Sequence, residues 1–403
     1  MGEIDSQLLA AGQRVFVAGA ANEPQGLLAQ LATLDLPPDL CFVQFPIGGL
    51  NTTDFTALAP TARVETFFMT PQLAKADPAR VHFLPMHMRW VNDHVSRDID
   101  VALLQVAKDR HGVLRLGPNS DFTDMVLSHA PVIIAELNTA VVAPAGAPRV
   151  PLKRLTQVVE THRPLPEMAP PKIDAAAQRI GQEVAALIQD GDCIQTGIGA
   201  IPAAILLELK GRSDLGMHGG LIDDGGMALI DAGNINGSRK AIDTHQHVTA
   251  LGLGTEHLYQ RLAERADVVF RGADHTHEAS VIGQLDNFVS INSAVQVDLS
   301  GQINAEVVGG RQISGTGGSV DFMRAAKSSR GGRSIVALNA TARGGSVSRI
   351  VPRVEHVTAL RTDVDIIVTE YGVAKIGHLP LKQRADALID IAAPEFRAEL
   401  RKA

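Results

Sequence analysis

The chain has 403 residues, of which 45% are hydrophobic and 20% are charged, so a disordered or fibrous protein is excluded and two domains of about 150–200 residues each are expected. Its formal net charge of −7 at pH 7, without a long basic segment, excludes nucleic acid as an expected partner. Only two cysteines occur and no apolar run reaches the ~18 residues of a membrane span, so we expect a cytoplasmic protein without disulfide bonds or membrane contact.

Short apolar runs bounded by glycine or proline alternate with helix-length amphipathic segments in the first part of the chain. The pattern predicts strands at residues 14–19, 81–85 and 131–137 and helices at 23–33 and 98–109. Continuous apolar strands that alternate with helices are typical of βα units around a mostly parallel sheet. The first part is therefore predicted to form an open α/β domain.

Residues 163–171 contain four prolines, and proline continues neither a helix nor a central strand. We therefore predict a linker there, between an N-terminal domain of residues 1–170 and a C-terminal domain of residues 171–403. After the linker, an amphipathic helical pattern over residues 174–189 precedes a buried strand that starts at Cys193.

A strand, a glycine turn and a helix with an early proline occur in the same order at residues 12–31 and 191–209. In each copy, three apolar residues follow the proline at the offsets of one helix face. This repetition indicates two similar, open, mostly parallel α/β domains. The apolar residues are Leu27, Leu28 and Leu31 in the first copy and Ile205, Leu206 and Leu209 in the second.

Three glycine-rich segments precede predicted helices, at residues 197–202, 251–255 and 314–319. Backbone N–H groups at a helix N-terminus, together with the helix dipole, favour a phosphate or a developing oxyanion. The first segment is not a dinucleotide-binding motif, because Pro202 replaces its third glycine, so a nicotinamide cofactor is not expected. A tight turn without a ligand is the alternative interpretation of this first segment.

The densest group of ionisable residues lies at 271–278, where Asp274, His275, His277 and Glu278 occur together. Neighbouring Asp and His residues can act as nucleophile and base, and two histidines with carboxylates can bind a metal ion. The spacing matches no established zinc motif, and no Gly-x-Ser-x-Gly nucleophile motif is present, so we predict neither a metal site nor a serine hydrolase. A hydrogen-bonded loop without chemistry is the simpler interpretation, and a metal-dependent hydrolase that uses His275 and His277 is a further alternative.

From about residue 192 to residue 400 the chain resembles the acetyl-CoA hydrolase/transferase family, which includes acetate and 4-hydroxybutyrate coenzyme A (CoA) transferases. The resemblance implies a pair of similar open α/β domains, CoA as a co-substrate without any other cofactor, and a homodimer or larger homo-oligomer. It rests on several ordered segments in the second part and on two weaker ones in the first: 197–202, 289–294, 297–299, 314–318, 348–352, 368–374, 393–397, 83–87 and 134–138.

In this family a glutamate attacks the thioester, and the resemblance places that residue at Asp274, eighteen residues before the motif residue Asn292. Asn292 would orient the carboxylate or donate to the thioester oxygen. The aspartate is shorter by one methylene, which withdraws the carboxylate by ~1.3–1.5 Å, and a misplacement of about 1 Å can cost ~100-fold in rate. The alternatives are therefore transfer through Asp274, hydrolysis, a nucleophile role for Glu278, or CoA binding without catalysis.

The resemblance also implies CoA contacts on two glycine-containing loops and on one cation. Arg343 stands where the family tends to have a lysine and would bind a CoA phosphate, and its alternative interpretation is a solvated turn. The acyl group is not determined by these residues, and the predicted substrates are an acyl-CoA and a small carboxylate. The predicted contacts are Leu251, Gly252, Leu253, Gly254, Thr255, Ser314, Gly315, Gly317, Gly318 and Arg343.

Overall fold

A computed structural model describes residues 2–403, which form two compact units. The first unit contains the chain as far as Ala169 together with Val248–His275. The second contains Pro170–His247 and Thr276–Ala403. The first change of unit therefore lies in the proline-rich segment 163–171.

The segment Val248–His275 belongs to the first unit because its backbone is hydrogen-bonded there. The Ser120 N–H donates to the Ala250 carbonyl at 2.8 Å, and the Phe270 N–H donates to the Gly146 carbonyl at 3.0 Å. Composition places this segment in the domain 171–403, since pairing between residues so far apart in the chain leaves no signal in local composition. The division into continuous domains stays a prediction.

The first unit is built on an eight-stranded sheet. Its pairs are parallel, except that Leu114–Leu116 pairs antiparallel with Val101–Lys108. Such a sheet is covered on both faces, which explains its apolar strands. The main strands follow in the order Val81–Phe83, Arg63–Thr66, Cys41–Gln44, Arg14–Val17, Val101–Lys108, Val132–Val142 and Gln157–Thr161.

The predicted helix over residues 98–109 is wrong, since this segment forms the central strand Val101–Lys108. Its residues from Val101 to Ala107 are all buried. A strand between two parallel neighbours has both faces covered, so it loses the alternation that would distinguish it from a helix. The predicted helix at 23–33 is confirmed in shorter form as Gln25–Leu31.

Alternate residues of the strands in the first unit face two separate cores. Val15 and Val17 belong to one core, whereas Phe16 and Ala18 belong to the other. This alternation follows from the two-residue period of a strand. The helices of this unit are Gln25–Leu31, Met88–Val95, Thr123–His129 and Glu256–Glu264, together with most of the single turn Ala273–Thr276. Its remaining short strands are Leu251–Gly252, Val268–Phe270 and His247–Thr249, of which His247 itself belongs to the second unit.

The second unit is built on a six-stranded sheet. Its pairs are parallel apart from the last, where Gly372–Lys375 runs antiparallel to Ile366–Thr369. The predicted open, mostly parallel α/β class is therefore confirmed in each unit. The strand order is Gly216–Met217, Cys193–Gln195, Phe288–Ser293, Arg333–Ala337, Ile366–Thr369 and Gly372–Lys375.

The predicted helix after the linker is confirmed as Ala175–Leu187, where the Asp174 side chain accepts a hydrogen bond from the Ala177 N–H. Aspartate is a favoured N-cap because it satisfies such an N–H group. The other helices are Ala200–Glu208, Asp224–Asp231, Ala279–Ile282, Ser319–Ser328, Leu381–Asp390 and Pro394–Leu400. The remaining short strands are Leu221–Ile222, Gln296–Asp298, Ile303–Asn304, Val307–Val308, Arg311–Gln312, Thr341–Ala342, Val347–Ser348 and Ile350–Val351.

Within residues 2–403, no helix combines the length and the apolar character that a membrane span needs. Cys41 and Cys193 are free and buried, and burial raises the pKa of the Cys193 thiol to about 12. Neither thiol is therefore suited to act as a nucleophile at neutral pH. The cytoplasmic location stays a prediction.

Candidate functional site

The loop of residues 251–255 lies in the first unit, at the start of helix Glu256–Glu264. Its two leucines are buried. At the helix N-terminus, the Glu256 N–H donates to a carboxylate oxygen of Glu167 at 2.9 Å. A carboxylate therefore already occupies this N–H group, and a phosphate at the same place would compete with Glu167. The predicted CoA contact is better matched to an uncharged part of that molecule.

Asp274 lies in the first unit, on the single helical turn Ala273–Thr276, and its side chain is exposed. Ala273 is fully buried, and its N–H donates to the Asp121 carbonyl at 2.8 Å. A Cβ atom at Gly272 would lie 2.6 Å from an Asp274 carboxylate oxygen, so a side chain there would push this carboxylate aside. The turn is thus anchored in the core while its carboxylate faces outward, as a nucleophile requires.

A second carboxyl, Asp124, is electrostatically coupled to Asp274. Asp124 is in the first turn of helix Thr123–His129. Burial raises its pKa, the negative charge of Asp274 raises it further, and the positive charge of Arg271 opposes both effects. The surroundings of Asp274 are therefore acidic as well as cationic, and an incoming carboxylate would experience both signs of charge.

Glu278 is the N-cap of the short helix Ala279–Ile282 in the second unit. One of its carboxylate oxygens accepts hydrogen bonds from the N–H and the hydroxyl of Ser280, each at 3.0 Å. Capping satisfies a backbone N–H group that the helix itself leaves without a partner. This arrangement gives Glu278 a structural task, and its role as a substitute nucleophile stays a prediction.

We expect Glu278→Ala to lower the free energy of unfolding by about 0.5–2 kcal/mol, the usual effect of losing an N-cap, and to leave thioester turnover within about threefold of the wild type. Urea denaturation and a thioester assay measure the two effects. Glu278→Asp serves as the control, because the shorter carboxylate is also a favoured cap. A loss of turnover in the alanine variant at unchanged stability would assign the nucleophile to Glu278 instead.

Asn292 lies near the carboxyl end of strand Phe288–Ser293, in the interior of the second sheet. Its Nδ2 donates to the side-chain oxygen of Gln195 at 3.3 Å, and both side chains are nearly buried. Gln195 ends the neighbouring parallel strand, and a Cβ atom at Gly219 would lie 3.1 Å from its Cγ. The carboxyl ends of parallel strands are the usual ligand-binding edge of an open α/β sheet, so the pair lies on the expected side.

The glycine loop at residues 314–318 leads into helix Ser319–Ser328, with Gly318 at the N-cap position. Gly317 adopts a left-handed φ of +52°, which favours glycine. The Ser314 hydroxyl donates to the Gly315 carbonyl at 3.2 Å. The predicted helix after this loop is confirmed, and its N-terminus has the geometry that favours an anion or oxyanion.

The buried side chain of His277 lies beneath this loop. A Cβ atom at Gly318 would lie 2.3 Å from its Nε2, and one at Gly220 would lie 3.1 Å from the same atom. The Phe322 ring packs against the imidazole at a centroid distance of 4.5 Å, and the Thr276 hydroxyl is 2.8 Å from Nδ1. His277 therefore holds two glycine segments in place by contact.

Burial lowers the pKa of His277 to about 4, and the negative charge of Asp321 only partly opposes this effect. The imidazole is therefore neutral at pH 7 in the folded protein. This state matches its packing among glycine and phenylalanine residues, since an unpaired charge there would be unfavourable. The imidazole ring therefore has a structural role in the second unit.

Folding should therefore become less favourable as pH falls from about 6.5 toward 4, because the unfolded chain protonates His277 before the folded protein does. The free energy of unfolding should drop by about 2 kcal/mol between pH 7.5 and pH 5 from this residue alone. Urea denaturation at both pH values measures the drop. His277→Gln is the control and should lack this part of the pH dependence, and an identical pH dependence in both proteins would contradict the assignment.

Arg343 lies at the tip of the hairpin formed by Thr341–Ala342 and Val347–Ser348 in the second unit. It is exposed and has a left-handed φ of +50°, which is unusual for a residue with a side chain. Its carbonyl accepts a hydrogen bond from the Ser346 hydroxyl at 2.9 Å, which stabilises the turn. An exposed guanidinium on such a tip is suited to a phosphate group.

The predicted site residues are divided between the two units. In the second unit, the segment Gly219–Gly220 contacts both Gln195, the partner of Asn292, and His277 beneath the glycine loop. The roles predicted for all of these residues stay predictions. The first unit holds Leu251–Thr255 and Asp274, whereas the second holds Glu278, Asn292, Ser314–Gly318 and Arg343.

Sequence reasoning missed the residues that support the candidate site. Asn119 and Asp121 belong to a run of turn-forming residues at 117–121 that directly follows strand Leu114–Leu116, and this composition was an available signal. Gln195 gave no signal, because a polar residue at the end of a buried strand is common. Its importance follows only from its contact with Asn292.

Comparison with known proteins supports the resemblance seen in the sequence. Residues 254–403 match the model of the acetyl-CoA hydrolase/transferase C-terminal domain. The 4-hydroxybutyrate coenzyme A transferase of Clostridium kluyveri is 42% identical over 306 residues, which cover 75% of this chain and 71% of that protein. The butyryl-CoA:acetate CoA-transferase of Anaerostipes caccae is 37% identical over 340 residues, which cover 81% of this chain and 75% of that protein.

The solved structures agree with the sequence matches. The crystal structure of RipA from Yersinia pestis superimposes with a TM-score of 0.90 at 31% identity and covers 98% of this chain and 94% of that one. The crystal structure of a 4-hydroxybutyrate CoA-transferase from Porphyromonas gingivalis superimposes with a TM-score of 0.80 at 33% identity and covers 97% of this chain and 93% of that one, so the fold and the sequence agree over almost the whole chain. The family inferred from the ordered motifs is confirmed, and the chain belongs to the acetyl-CoA hydrolase/transferase family, whose enzymes act on acyl-CoA thioesters.

Proposed function

We propose that the chain is a carboxylate CoA-transferase in which Asp274 is the nucleophile. The main supporting observation is that the Asp274 carboxylate is exposed while the preceding residue in the same helical turn, Ala273, is buried in the core. Glu278, the other carboxylate considered, is engaged as a helix cap. The relatives named as CoA-transferases for 4-hydroxybutyrate and for butyrate and acetate support a small carboxylate as the acceptor.

In the proposed reaction, an Asp274 oxygen attacks the thioester carbonyl, the carbon–sulfur bond breaks, and CoA leaves as a thiolate with an acyl-aspartyl anhydride behind it. The thiolate then attacks the aspartyl carbonyl, which releases the first carboxylate and leaves an aspartyl thioester. An incoming carboxylate repeats the two steps in reverse, so that a new acyl-CoA forms and Asp274 is restored. A carboxylate is a weak nucleophile, so its position decides the rate.

Hydrolysis is the second candidate, because an aspartate stands where the resemblance implies a glutamate. The shorter side chain leaves more room beside the reacting carbon, and water can then attack the anhydride or the thioester. The balance between the acceptor carboxylate and water at this step decides whether the enzyme transfers or hydrolyses.

The loops and the hairpin tip complete the proposal. Residues 251–255 would contact an uncharged part of CoA, the glycine loop at 314–318 would offer N–H groups to an oxyanion, and Arg343 would bind a phosphate. Asn292, held by Gln195, would donate to the thioester oxygen or orient the carboxylate. We also propose that the enzyme needs no cofactor other than CoA and forms a homo-oligomer.

A mass-resolved assay tests the proposal with acetyl-CoA and butyryl-CoA, each with and without acetate, butyrate or 4-hydroxybutyrate. A transferase forms a new acyl-CoA only when an acceptor is present, whereas a hydrolase releases free CoA without one. Hydroxylamine added after acyl-CoA should leave a hydroxamate on Asp274, which peptide mass spectrometry detects. CoA binding without any new species would overturn both enzymatic proposals.

A further inference from the structure

The turn at residues 117–121 of the first unit carries more hydrogen bonds than a connecting turn needs. Asn119 is fully buried, and its Nδ2 donates to the Gly19 carbonyl at 3.0 Å and to an Asp121 carboxylate oxygen at 3.2 Å. Its side-chain oxygen accepts from the Asp121 N–H at 3.1 Å. Both ends of this amide are thus used, and the shape of the turn is determined by one side chain.

The same turn is bonded to the strand that leads into the predicted CoA loop. The Gly252 N–H donates to the Pro118 carbonyl at 2.7 Å, and the Ser120 N–H donates to the Ala250 carbonyl at 2.8 Å. These two bonds bracket an antiparallel bridge between Asn119 and Leu251. The loop at 251–255 therefore takes its position from residues 118–120.

The turn also holds the segment that carries the proposed nucleophile. The Asp121 carbonyl accepts the Ala273 N–H at 2.8 Å, one residue before Asp274. The Asp121 carboxyl is 2% exposed and accepts from the Phe122 N–H at 2.5 Å and from the Thr123 hydroxyl at 3.2 Å. Burial raises the pKa of this carboxyl, and those hydrogen bonds oppose the increase only in part. Burying a carboxyl among uncharged donors is costly, which points to a geometric role.

We propose that Asn119 and Asp121 are positioning residues, which fix the turn carrying Asp274 and the loop at 251–255 in one geometry. The inference rests on the proposed function of Asp274 and adds the residues that place it. Because one turn is hydrogen-bonded to both segments, it limits the movement of one segment relative to the other. This limit matters because a misplacement of about 1 Å at a nucleophile can cost ~100-fold in rate.

The test compares Asn119→Ala and Asp121→Ala with Asn92→Ala. Asn92 is a suitable control because it is a buried amide of the same unit, and both of its polar atoms lack a hydrogen-bond partner among residues 2–403. We expect kcat for thioester turnover to fall at least tenfold in the two variants, with KM for the acceptor carboxylate within twofold. Asp121→Asn, which retains an acceptor oxygen, should recover most of the lost kcat.

Amide hydrogen exchange gives a readout that does not depend on turnover. In Asn119→Ala the amides of Gly252 and Ala273 should exchange at least tenfold faster, and in Asn92→Ala they should not. Unchanged exchange, or an equal fall of kcat in the control, overturns the inference. If the wild type shows no thioester turnover, the proposed function fails, and the exchange rates alone then decide whether the turn positions the two segments. If the alanine variants do not fold, Asn119→Asp keeps the test available, because it removes both Nδ2 donations and retains the acceptor for the Asp121 N–H, and it should show the same faster exchange and lower kcat.

Discussion

Replacing Asp274 by alanine is expected to lower thioester turnover by a factor on the order of 10⁴ or more, because a reaction through a covalent intermediate has no equivalent route without its nucleophile. Asp274 is exposed and its neighbour Ala273 supplies the buried anchor, so stability should change by less than about 0.5 kcal/mol. Initial rates with acetyl-CoA and acetate, together with urea denaturation, measure both quantities.

Glu278→Ala is the matched control for this experiment, since it removes a carboxylate four residues away that is engaged as a helix cap. Asp274→Glu adds the methylene that the resemblance implies is missing and advances the carboxylate by about 1.5 Å. If its position decides between transfer and hydrolysis, the ratio of new acyl-CoA to free CoA should rise in this variant. Turnover by Asp274→Ala within tenfold of the wild type would remove Asp274 from the mechanism.

Substituting Gly318 by alanine should have the second largest effect. The added Cβ would lie 2.3 Å from the Nε2 of His277 and 2.8 Å from the Phe322 ring, and both neighbours are buried. Neither ring can withdraw easily, so the glycine loop must move. We expect a loss of about 1–3 kcal/mol of stability from the overpacking, and a KM for acyl-CoA raised at least tenfold. Urea denaturation and steady-state kinetics measure these effects.

Gly211→Ala provides the control, because a Cβ at Gly211 meets no atom within 4 Å. A double variant that combines Gly318→Ala with His277→Ala removes the shortest contact and should recover part of the stability and of the KM. No recovery would mean that the contact with Phe322, or the loop backbone itself, limits the substitution. A KM unchanged in Gly318→Ala would separate the loop from CoA binding.

Local sequence patterns predicted the secondary structure correctly where a segment's structure depends mainly on its own residues. The helix Ala175–Leu187 with its Asp174 cap and the strand that starts at Cys193 appear where composition and periodicity predict them. The helix predicted at residues 98–109 is wrong because a strand covered on both faces loses the two-residue period that would identify it. The inclusion of Val248–His275 in the first unit could not be predicted from composition, because its hydrogen bonds to residues 118–121 and 146 leave no local trace.

The sequence by itself determined the α/β class, the ordered family motifs, and the identity of the carboxylate at position 274. Only the tertiary structure decided that Glu278 is a helix cap, that burial keeps His277 neutral beneath the glycine loop, and that one buried turn holds both the predicted CoA loop and Asp274. The physical reason is that a residue's chemistry follows from its type, whereas its charge state and hydrogen-bond partners depend on groups that folding brings together from distant parts of the chain.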